Sequence, residues 1–130
     1  MSLKIELTRN DEYVKKVLDQ IIDSYTVIHN LKDQTGDLDI IKKELLKING
    51  FFNVLVKKLG TTDFDSKDFV ELKSKMKKYL DNYYFLQEID TMSPLYSEDT
   101  ARLKNMRLKI LEAFEDRRLI DKIQEISQEL

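Results

Sequence analysis

The chain has 130 residues, a length suited to one folded unit, residues 1–130, that buries roughly two thirds of the surface its unfolded form exposes. Charged residues make up 35% while Gly (3) and Pro (1) are scarce, and the absence of Cys excludes disulfides, thiolate metal sites and thiol nucleophiles. With 22 basic and 24 acidic residues mixed along the sequence, the net charge of -2 disfavours generic attraction to nucleic acid or anionic lipid.

In the first residues, Leu3, Ile5 and Leu7 alternate with polar neighbours, a strand-like period of two. No second such pattern exists to pair with it, so residues 1–7 are expected to form an extended arm or a tail. From Thr8 to Lys32 the apolar residues Val14, Val17, Leu18, Ile21, Ile22, Tyr25, Ile28 and Leu31 recur at three and four, which predicts a first amphipathic helix. Gly36 in "DQTGD" supplies a residue suited to its left-handed terminus. A second helix follows on Leu38, Ile41, Leu45, Ile48, Phe52, Leu55 and Leu59, closed by Gly60. Gly50, inside it, suggests close approach by a neighbour.

In "TDFDSKDF", Asp65 is a candidate N-cap with Asp68 answering from the first turn, and Phe64 with Phe69 a hydrophobic staple. The third stripe is then Phe69, Leu72, Met76, Tyr79, Tyr83 and Leu86. The stretch "DTMSPLY", which holds the only Pro, reads as a loop, and Ser97 as the cap of a fourth helix that extends to Leu130. Such a helix would be ~50 Å long, and its stripe of Leu103, Met106, Ile110, Ala113 and Phe114 is interrupted at "EDRR" before Leu119, Ile120, Ile123, Ile126 and Leu130. Either it bends there and caps the bundle, or it overhangs as a partner-binding face. The expected fold is all-α, an up-down-up-down antiparallel four-helix bundle with a long C-terminal helix.

Chemistry is sparse. One His excludes the paired Glu-x-x-His sites of di-metal bundles, and no Gly-rich phosphate loop, HExxH or GxSxG motif is present. The expectation is therefore no enzyme, no metal and no cofactor. The only His lies in "HNLK", which resembles the His-x-Leu-Lys core of histidine phosphotransfer domains, four-helix bundles whose exposed His accepts a phosphoryl group from a response-regulator aspartate. The resemblance covers four residues and implies His29 as phosphoacceptor, with Lys32 one turn on as the cation that steadies the phosphate. Asp33 stands where that family usually has Gly, and His29 lies close to the expected helix end.

"KSKMKKYLDNYYF" combines lysines with aromatics, but Glu71 and Asp81 beside them and the negative net charge disfavour nucleic acid as a partner. Tyr84 and Phe85 lie outside the core stripe, so they either thicken the core or stay partly exposed as candidate anchors for another protein. The sequence thus points to a cytoplasmic, non-catalytic protein–protein interaction module, an adaptor, chaperone-like or regulatory helical protein. Its candidate partner-binding residues are Tyr84, Phe85, Leu119, Ile120, Ile123, Ile126 and Leu130, the tail pairing with a second copy in a homodimer. The alternative is a phosphorelay domain acting through His29. No window is apolar enough to span a membrane, and the first residues lack the apolar run of a signal peptide.

Overall fold

The computed structural model describes residues 9–96 and 98–130; the expectations for residues 1–7 and for Ser97 lie outside them. Among the described residues six α-helices follow one another: α1 Arg9–Asn30, α2 Asp37–Lys58, α3 Lys67–Asn82, α4 Phe85–Tyr96, α5 Thr100–Glu115 and α6 Leu119–Glu129. Short 3₁₀ turns occupy Thr62–Phe64 and Asp116–Arg118, and there is no strand among the described residues. The helices pack as a bundle, α1 against α2, α5 and α6, α2 also against α3, α4 and α5, and α6 against α3 and α5.

The stripes of α1, α2 and α3 form the core as their spacing predicts, with Leu18, Ile21, Leu45, Phe52, Leu55, Leu72 and Met76 fully buried. At its centre Phe114 of α5 meets Tyr25, Phe52 and Tyr79, at ring-centroid distances of 5.7, 6.1 and 4.9 Å. Helix α3 starts one residue later than expected. Ser66, not Asp65, is its cap, its Oγ accepting the Phe69 N–H at 3.3 Å. The Phe64 and Phe69 rings still meet edge to face at 5.2 Å, closing the entry to the helix. Gly60 has the expected positive φ, 84°, just past α2. Gly36 (φ 97°) takes its left-handed conformation at the start of α2 rather than at the end of α1. Gly50 has no neighbour within 4 Å of where a Cβ would stand, so it marks no close approach.

Two larger departures shape the surface. The third helix was expected to pass through Tyr83 to Leu86; instead it stops at Asn82, and Tyr83 is extended (φ -124°, ψ 131°). Residues two apart in a helix point to different sides, whereas in extended backbone they share one. The break thereby lets Tyr83 and Phe85 stack at 5.3 Å, and turns Tyr84 between them outward. Residues 90–96, expected to be a loop, continue α4, which buries Phe85 and Ile89. Pro94 is tolerated because it lies exposed in the last turn, where its missing N–H removes a single helix bond.

The fourth helix is also divided. Asp99 caps α5, accepting the Arg102 N–H at 3.2 Å, and after Glu115 the chain bends through Arg117 (φ 55°) and Arg118 (φ 58°). The bend re-aims α6 along α1 instead of past it. Lys15 of α1 donates to the Ser127 carbonyl at 2.9 Å, and the Ser127 hydroxyl bonds to Asp19.

Candidate protein-interaction surface

The residues expected to bind a partner are mostly inside the molecule. Leu119, Ile120, Ile123 and Ile126 are buried, Ile123 completely, because the bend lays α6 on α1 and α3. Phe85 is 3% exposed, held between the Tyr79 and Tyr83 rings. Leu130 is half-buried against the core. The apolar tail that pointed to a second copy is thus covered by the chain itself. Of the set, Tyr84 alone is open to solvent, 57% exposed, with its hydroxyl donating to the Asp81 carbonyl at 2.7 Å.

His29 occupies the last turn of α1, exposed, with Nδ1 3.2 Å from Asn30 Oδ1 and its ring 6.1 Å from that of Tyr25. Because α1 ends at Asn30, Lys32 stands beyond the helix and is not one helical turn from His29, contrary to what the motif implies. Asp33, in a left-handed conformation (φ 62°), accepts from Arg107 Nε at 2.7 Å and Nη2 at 3.1 Å, while Arg107 Nη1 donates to the His29 carbonyl at 3.1 Å. One guanidinium therefore ties off the end of α1 and neutralises the acid beside His29. Its hydrogen bonds hold the Asp33 carboxyl below the usual range against the opposing effect of burial.

A surface the sequence reading missed lies between α4 and α5. Met92, Leu95 and Met106, with Gln87, Thr91 and Arg102, line an open groove of about 530 Å³, and Leu95, at 70% exposure, is the most exposed large apolar residue described. Glu88 on its wall is held by Lys109 at 2.8 Å. Reading "DTMSPLY" as a loop hid this groove. Its signal was the spacing Phe85, Ile89 and Met92, which continues a helical face through the proline segment.

Among the described residues no three His, Asp or Glu side chains gather as a metal site. Tyr83 reaches Asp116 at 3.4 Å, and burial followed by the nearby carboxylate pushes its hydroxyl up, away from a role as a base. No family model, curated protein or solved structure gives a significant match to this chain.

Proposed function

We propose that this chain is a non-catalytic, cytoplasmic interaction module, an adaptor, chaperone-like or regulatory helical protein, whose docking face is the groove between α4 and α5. The observation that carries this reading is the exposure of Leu95 beside Met92 and Met106 in a protein that covers its other long apolar stripes. Unbranched methionines adapt their shape to an incoming side chain, and a groove between two helices suits the apolar face of a partner helix. Among the described residues no helix is long and apolar enough to cross a membrane.

The architecture that supports it is an up-down-up-down order of four limbs, α1, α2, α3 with α4, and α5 with α6. Contacts between opposite ends favour that order: Lys58 lies over the Tyr13 ring at 5.4 Å, Lys15 reaches Ser127, and Lys122 of α6 reaches Asp68 at the start of α3 at 2.8 Å. In this arrangement the buried tail is closed to two-fold pairing, and the α4/α5 groove is the face we assign to a partner.

A photo-crosslinking side chain at position 95, irradiated in native extract, tests the reading. A discrete adduct is expected, lost when Met106→Glu charges the groove. The same probe at Leu46, 54% exposed on α2, should give none. No adduct at 95, or the same adduct from both sites, would overturn it.

The exposure of His29 favours one second reading, a phosphorelay domain in which His29 accepts phosphate and Lys32 steadies it from the segment after α1. Phosphoramidate should then give an acid-labile label that His29→Gln abolishes. An unlabelled wild-type chain ends this alternative.

A further inference from the structure

We propose that a second groove, between α3 and the bend at residues 116–118, docks an acidic peptide segment of a partner protein, independently of the α4/α5 face. The groove has a volume of about 690 Å³. Lys67, Ser74, Lys75 and Lys78 line it from α3 at helical spacings of three, four and seven, so they share one side of the helix over about three turns, ~16 Å. Arg117 faces them from the bend. Two acids, Asp65 and Glu71, also touch the groove, and Glu71 is already engaged by Lys122 at 3.4 Å.

Lys42, Lys109, Lys122, Arg107 and Arg118 each have a carboxylate partner. Among the described residues, Lys67, Lys75, Lys78 and Arg117 make no ion pair, and the Lys75 ammonium donates to the Arg117 carbonyl instead. Other lysines, Lys43 and Lys57 among them, also make no ion pair among the described residues, but here four such cations gather on one groove. A cluster of unpaired cations in a chain of net charge -2 creates a local positive field that a carboxylate-bearing segment would neutralise.

Arg117 strengthens the assignment. Its φ of 55° is a conformation that Gly or Asn adopts with less strain, so the turn itself does not select arginine there. Its neighbour Arg118 is tied to Asp121 and Glu125, which accounts for that side chain locally. The Arg117 side chain has no such tie and lines the groove.

Peptide fits better than nucleic acid. Val70, 49% exposed, sits within the groove and suits an apolar side chain, while no aromatic ring lines it for bases to stack on. Asp65 and Glu71 would repel a backbone charged at every unit, whereas a peptide can space its carboxylates around them.

A fluorescein-labelled peptide of about 12 residues, alternating Glu and Leu pairs, is the probe, read by anisotropy at ~50 mM salt where exposed charges are weakly screened. Binding is expected, weakened about tenfold or more by Lys75→Glu and at least about threefold by Arg117→Asn, and left within about twofold by Lys43→Glu on α2. Arg117→Asn should at the same time raise the melting temperature by relieving the left-handed strain, so a loss of binding cannot be charged to unfolding. The proposal is overturned if the peptide does not bind or if Lys43→Glu weakens it as much as Lys75→Glu. It also fails if a single-stranded oligonucleotide of equal charge binds as tightly as the peptide.

Discussion

Replacing Arg107 by Gln removes the guanidinium that closes the end of α1, and the structure sets the size of the effect. Three hydrogen bonds are lost, two to Asp33 between side chains only 13% and 17% exposed and one to the exposed backbone carbonyl of His29. Hydrogen bonds to charged groups contribute about 1.5–3 kcal/mol each when well covered, but the three share one cation and lie at a helix end, so the loss should be ~2–3 kcal/mol in all. Asp33→Asn keeps a residue tolerant of the left-handed backbone and removes the charge. The double variant completes a cycle whose coupling term should be ~1–2 kcal/mol in urea unfolding at neutral pH. The lowered folded value of Asp33 means its contribution is fully present above the unfolded carboxylate value of ~4 and is lost as pH falls through the folded one. The coupling should accordingly fade in acid. A coupling below ~0.3 kcal/mol at neutral pH, or one that grows on acidification, would refute this account of how α1 ends.

Gly50→Ala should stabilise the chain by about 0.5–1 kcal/mol, since the site is helical, exposed and open around the missing Cβ; a melting temperature that falls would contradict this. Leu55→Ala should cost ~2–5 kcal/mol in denaturant unfolding because Leu55 is fully buried in the core. Ile123→Asp should unfold the protein, as the position is inaccessible and a carboxylate there has no partner, with circular dichroism showing lost helix. A folded Ile123→Asp monomer derived from a wild-type dimer would instead restore the tail as an interface.

The helices were legible where their stripes were long. Leu45, Leu55 and Leu72 lie in the core because spacing by threes and fours leaves no other way to cover them. The break at Tyr83 was not legible, because Tyr79, Tyr83 and Leu86 fit a continuous helix equally well. The extended link is favoured by the Tyr83–Phe85 stack and by Phe114, whose ring packs on Tyr79 from 35 positions further along the chain. The "EDRR" interruption did mark the bend, but its direction depends on contacts such as Lys15 with Ser127, 112 positions apart. For the same reason Asp33, read locally, was only a charge beside His29; its partner Arg107 lies 74 positions away. Of the surface, the position of Tyr84 and Phe85 outside the stripe left open whether each thickens the core or stays exposed, and the structure divides them, whereas Leu95 was missed because the proline segment was read as a loop.

The position of α6 also sets an order of events during synthesis. Residues 119–129 leave the ribosome after every helix they cover, yet they shield the apolar faces of α1 and α3. Until they emerge, the α1 and α3 faces that α6 covers lack one side of their packing, so the earlier helices should be held in a loose, exchangeable collapse. A nascent chain halted before Leu119 should therefore be sticky and protease-sensitive, and the release of α6 should mark the moment at which it becomes resistant.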